Sequence, residues 1–82
     1  ISVRKNPSTG IFEISLSKDV PQGFEYQVIN SLGGSTLKGS KQRYSVNDII
    51  RLDLTNAANG VYIFKLALGG GFISTKLLKQ GN

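Results

Sequence analysis

The sequence holds five carboxylates, Glu13, Asp19, Glu25, Asp48 and Asp53, and they are the first place to look for acid–base chemistry. Such chemistry needs two of them, or one and another titratable group, within hydrogen-bond reach of a substrate. The local patterns place Glu13, Glu25 and Asp53 at outward positions of different strands, so no pair is built by spacing alone. There is no histidine, which removes histidine general bases and histidine metal ligands together, and leaves any serine nucleophile without its usual base. No loop carries the acidic spacing of a calcium-binding helix–loop–helix. Gly69-Gly70-Gly71 is glycine-rich, but it lacks the Lys-Ser/Thr and the helix that complete a phosphate loop, and it reads as a hairpin tip. The expectation is a non-enzymatic domain with no catalytic residues, no metal site and no cofactor. Sugar binding by planar aromatics is weakly provided for. There is no tryptophan, the core pattern claims Phe12, Phe24, Tyr26, Tyr62 and Phe64, and only Tyr44 and Phe72 are left as exposed rings.

The elements that would position any site follow a period of two. In Ile11–Ser17 the apolar Phe12, Ile14 and Leu16 alternate with Glu13, Ser15 and Ser17, the pattern of a half-buried strand. The turn Asn6-Pro7-Ser8-Thr9-Gly10 precedes it, and Ile1–Arg4 is a short first strand. Phe24–Asn30 places Phe24, Tyr26 and Val28 on one face. Asn30-Ser31-Leu32-Gly33-Gly34 is a hairpin turn with Ser35–Lys38 as its return strand. Gly39–Asn47 is polar and ambiguous, although Tyr44 and Val46 can alternate into a strand. Ile50, Leu52 and Leu54 form the next alternation, then Tyr62, Phe64, Leu66 and Leu68, and Phe72–Lys79 is the last strand. No window carries a helical period. About seven short strands, broken by turns every 8–12 residues or so, predict an all-β fold, an immunoglobulin-like antiparallel Greek-key β-sandwich.

Length and charge bound the rest. The 82 residues suffice for one domain, which at this size buries roughly 60–65% of its unfolded surface. The start at Ile1, with no initiator Met, suggests a piece of a larger protein. Without cysteine no disulfide staples it. No apolar run approaches the length of a membrane helix, and no signal peptide is present. Ten Lys and Arg against five Asp and Glu give a net charge of +5. Only Lys38, Lys41 and Arg43 crowd together, in what reads as a loop, with no base-reading motif beside them; nucleic acid is not an expected partner. A solvated basic surface, or attraction to an acidic one, accounts for the excess.

The stretch LTNAANGVY, Leu54 to Tyr62, carries a further signal. In Greek-key sandwiches the chain crosses between sheets near the start of the penultimate strand. A tyrosine there buries its ring and returns its hydroxyl to a nearby backbone group. Leu54 closes one strand inward, Asn59-Gly60 supplies permissive backbone, and Tyr62 opens the next strand facing in.

Four stretches, taken in order, go further: Asn6-Pro7-Ser8-Thr9-Gly10 before IFEISL; Val28-Ile29-Asn30-Ser31-Leu32-Gly33; Leu54 with Gly60-Val61-Tyr62; and Lys76-Leu77-Leu78-Lys79-Gln80. Together they resemble the type A C-terminal sorting domain of the type IX secretion system of Bacteroidetes, over nearly the whole chain. Arg4 and Lys5 stand where that family usually has an aromatic residue and a proline, and Ala57 where it usually has a leucine. The resemblance implies a single C-terminal sorting domain over residues 1–82, excised from a larger secreted precursor. It implies a signal that directs an N-terminally fused cargo across the outer membrane. Its partners would be the outer-membrane translocon and shuttle components, and a surface sortase that removes the domain and joins the cargo to anionic lipopolysaccharide. The cargo would end secreted or at the cell surface, by way of the periplasm and the outer membrane. Lys76, Leu77, Leu78, Lys79 and Gln80 match the family's terminal motif and are the expected translocon-recognition residues. Asn6, Pro7, Gly10, Asn30, Gly33, Leu54, Gly60 and Tyr62 match its remaining motifs and are expected to hold the fold. A regular pleat in the last strand puts Ile73, Thr75, Leu77 and Lys79 on one face and Ser74, Lys76 and Leu78 on the other. Leu77 is then core and Leu78 more exposed. Lysines on an edge strand also deter aggregation, and pairing of two edge strands into a homodimer is a further possibility. The alternative function is a non-catalytic fibronectin- or immunoglobulin-like binding or spacer module.

Overall fold

The alternation of apolar and polar residues becomes seven strands in a computed structural model of the chain, which describes residues 2–4 and 9–80. They are β1 (Ser2–Arg4), β2 (Ile11–Ser15), β3 (Phe24–Ile29), β4 (Ser35–Lys41), β5 (Ile50–Asp53), β6 (Gly60–Leu68) and β7 (Gly71–Lys79). No helix occurs among the described residues. Ile1, Asn6 and Pro7, with the first part of the turn that leads into β2, lie outside the described residues.

The strands form two antiparallel sheets, one in the order β1-β2-β5 and one in the order β4-β3-β6-β7. The sequence pattern left this order open. The chain changes sheet between β2 and β3, between β4 and β5, and again between β5 and β6. Phe12, Ile14, Ile50 and Leu52 from the three-stranded sheet join Val28, Phe64, Leu66 and Leu77 from the four-stranded one in a single buried cluster. The protein is therefore a β-sandwich, each sheet burying the face on which its apolar residues alternate. Full burial of each such side chain contributes about 1.5–3 kcal/mol, so this shared layer is what holds the sheets together.

Departures from the pattern lie where polar residues hide a strand or a core position. β4 does not stop at Lys38 but pairs with β3 as far as Phe24↔Lys41. Lys38 and Lys41 are thus strand residues three apart. They point to opposite faces and form no common basic loop with Arg43. Val46 lies outside any strand and is exposed. Tyr44 is the larger correction. Its ring, expected at the surface, is 1% exposed. It packs on Phe24 with ring centroids 5.7 Å apart. Its hydroxyl donates to Asp48 O at 2.7 Å and accepts the Leu16 N–H at 2.9 Å. Its backbone exchanges two hydrogen bonds with Val20, at 2.8 and 2.9 Å. One residue thus ties the β2–β3 connection to the β4–β5 connection. Phe72 is exposed as expected.

Candidate functional site

The turn from β3 to β4 is organised by Asn30. Its carboxamide oxygen accepts the N–H groups of Leu32 and Gly34, at 3.0 and 2.9 Å, while Gly33 N–H donates to the Asn30 carbonyl at 3.0 Å. A short side-chain acceptor that reaches its own turn amides is what this position requires. Gly10 works at a different junction. Its carbonyl accepts the Leu54 N–H at 2.7 Å, so the start of β2 lies directly against the end of β5. A Cβ built on Gly10 would stand 2.7 Å from Thr55 Cα and 2.9 Å from its backbone nitrogen. Only a residue without a side chain permits that approach.

The β5–β6 corner is built in the same manner, from backbone acceptors and the side chains that reach them. Leu54, buried, accepts the Ala57 N–H at 3.0 Å. Asp53 accepts the amide of Thr55 at 3.0 Å and also its hydroxyl. These bonds, the hydroxyl's first and the amide's second, hold the Asp53 carboxyl below the usual carboxylate range, with a further contribution from Arg51. The Tyr62 ring is buried and its hydroxyl donates to Ala58 O at 2.5 Å, four residues back. This is the corner anticipated from LTNAANGVY. Gly60 opens β6 with φ +146°, a conformation that L side chains rarely adopt.

The last strand meets this corner. β6 and β7 pair without a shift from Leu68↔Gly71 to Gly60↔Lys79. The regular pleat sends Leu77 into the core, fully buried, and leaves Leu78 half-buried on the outer face. Lys76 is on the outer face with Leu78, and Gln80 is exposed beyond the strand. Lys79 points the other way and is only 6% exposed. Its ammonium donates to Ala57 O at 2.6 Å and to Asn59 Oδ1 at 3.3 Å. The four-carbon stem covers apolar surface while the charged head finds acceptors. Ala57 O, Ala58 O and Asn59 Oδ1 are three neighbouring acceptors of the corner, and two side chains from β6 and β7 satisfy all three.

The terminal motif therefore divides. Leu77 and Lys79 face in and join Leu54, Gly60 and Tyr62 in one constellation, while Lys76, Leu78 and Gln80 face out. Gly10 and Leu54 are in direct contact, whereas Asn30 and Gly33 lie at their own turn. The alternation along the last strand sets the two lysines on opposite faces, but it does not give the burial of Lys79. That burial follows from the register of the folded sheet, which sets Lys79 opposite Gly60. A lysine opposite Gly60 must pass beside a residue that has no side chain, and the adjoining corner offers carbonyls.

Compared with models of known protein families, residues 5–80 match the secretion system C-terminal sorting domain. The chain belongs to that family. Sorting domains of this kind are signals of the type IX secretion system of Bacteroidetes, and the family is not a catalytic one. The protein that carries the present sorting domain is destined for secretion or the cell surface, through the outer membrane. Its sorting domain works with the type IX machinery on a cargo fused N-terminal to it. Searches of curated proteins and of solved structures return no significant match.

Proposed function

We propose that the sorting domain is read in its folded state, and that the C-terminal strand serves two purposes with its two faces. Leu77 and Lys79 lock β7 to the sheet and the corner. Lys76 and Leu78, with Gln80 beyond them, form the surface that the outer-membrane translocon and its shuttle components recognise. The observation that carries this reading is the burial of Lys79 against Ala57 O and Asn59 Oδ1, three positions from an exposed lysine of the same motif. Gly10, Asn30, Gly33, Leu54, Gly60 and Tyr62 then act by holding the fold. Asn6 and Pro7, in the same family motif as Gly10, are assigned to the same role. On this reading residues 1–82 are one sorting unit with an immunoglobulin-like Greek-key strand order. A surface sortase removes it after export and joins the cargo to anionic lipopolysaccharide, and the reacting groups for that step belong to the sortase.

The test is a reporter carrying a periplasmic signal peptide, fused before Ile1 and expressed in a type IX host. The intact fusion is expected at the surface or in the medium, and a fusion lacking Thr75–Asn82 in the periplasm. Equal export of the two would overturn the proposal.

A further inference from the structure

The excess positive charge is not spread evenly over the sandwich. On the outer face of the three-stranded sheet, register sets Arg4 opposite Glu13 and Glu13 opposite Arg51, with Asp53 opposite Ile11. Opposite charges alternate there and the face is close to neutral. The outer face of the four-stranded sheet is different. One cross-strand row reads Lys38, Gln27, Lys65 and Ser74, and the next reads Ser40, Glu25, Ala67 and Phe72. An uncharged glutamine separates the two lysines, whose backbones are about 10 Å apart across two strand spacings. The Lys65 ammonium lies 4.6 Å from the centroid of the Phe72 ring, which is 66% exposed. These residues line a shallow open groove of about 460 Å³ across the sheet.

We infer that this groove is a docking surface for an acidic polypeptide segment of a protein partner, with Lys38 and Lys65 taking its carboxylates and Phe72 holding Lys65 in place. The charges supply the complementarity: two lysines face the groove against one carboxylate, Glu25, on a chain whose other sheet face is balanced. The geometry disfavours a lipid surface. Membrane-binding patches collect four to eight basic residues beside apolar groups free to insert. Even with Lys76, farther along the same face, there are three, and the exposed Phe72 ring is engaged by the Lys65 ammonium. The inference deepens the sorting reading by naming the chemistry of a partner, and it extends the outward surface of Lys76 and Leu78 across the same sheet face to residues of β3, β4 and β6. Binding is measured without export, so the two readings fail separately.

The experiment titrates the isotopically labelled domain with poly-L-glutamate at low and at moderate salt, following amide shifts, and in parallel sediments it with vesicles of phosphatidylglycerol in phosphatidylcholine. Salt-sensitive shifts are expected at Gln27, Lys38, Ser40, Lys65 and Phe72. They should be lost in K38Q/K65Q and kept in R4Q/R51Q, which removes the same charge from the other sheet. Phe72→Ala should weaken binding with no change in net charge. Equal loss in the two double variants would reduce the effect to net charge and overturn the inference. So would an absence of poly-L-glutamate binding, whether or not the vesicles retain the domain in a Lys38- and Lys65-dependent way.

Discussion

At the scale of single residues, the sandwich is pinned by three polar side chains that reach backbone acceptors: Lys79, Tyr62 and Tyr44. Replacing Lys79 by Met keeps the apolar stem and strands the Ala57 carbonyl. Leaving such a group unsatisfied costs about 1–3 kcal/mol, so Lys79→Met should lower the unfolding midpoint in denaturant. Lys76→Gln, on the exposed face, should stay within about 0.5 kcal/mol of the parent. The two tyrosines are separated by the same logic. Tyr62→Phe removes one bond to a carbonyl on an exposed residue, worth about 0.5–1.5 kcal/mol. Tyr44→Phe orphans both the buried Leu16 N–H and the Asp48 carbonyl, and chemical denaturation should show the larger loss for Tyr44. Asp53 supplies the pH dependence. Its folded pKa is depressed relative to an unfolded value of about 3.9. Its stabilisation is therefore fully present above that unfolded value and is lost as pH falls through the lowered folded one. Melting curves of the parent and Asp53→Ala should differ at neutral pH and converge in acid. A constant difference down to the lowest pH would contradict the assigned bonds to Thr55.

At the scale of elements, strands with a clean period of two were legible in the sequence. β2, β5, β6 and β7 occupy nearly the expected residues because each buries one face and exposes the other. β4 was only half legible. Its Lys38, Ser40 and Lys41 do not alternate with apolar residues, and its extent is set by pairing with β3, a tertiary contact that no local pattern encodes. Tyr44 was misjudged for a related reason. It sits in a polar segment outside the strands, and its burial depends on a hydroxyl meeting groups 28 residues back and four residues ahead. The junction of β2 with β5 is equally tertiary. Gly10 was legible as a turn residue, whereas its role in admitting Thr55 required the packed sheets. Gly10→Ala should accordingly destabilise by more than the roughly 0.5–1 kcal/mol gained by Gly→Ala within regular structure would offset. A variant as stable as the parent by thermal melting would argue that Thr55 moves aside freely.

At the scale of the whole molecule, the sandwich presents two outer faces of different character and one strand that serves both inside and outside. The division within Lys76–Gln80 was legible as an alternation, since the pleat alone sets the two lysines apart. That Lys79 is a structural lock was not, because its acceptors belong to a corner twenty or so residues away in sequence and adjacent only after folding. On the proposed function, the folded domain is read through the outward side of β7 while the inward side merely holds it. The most direct measurement is the export of a reporter fused to the K76Q/L78S domain, made alongside its thermal melting curve. A native melting transition is expected, with the reporter retained in the periplasm. Export at the parent level from that stably folded variant would contradict it.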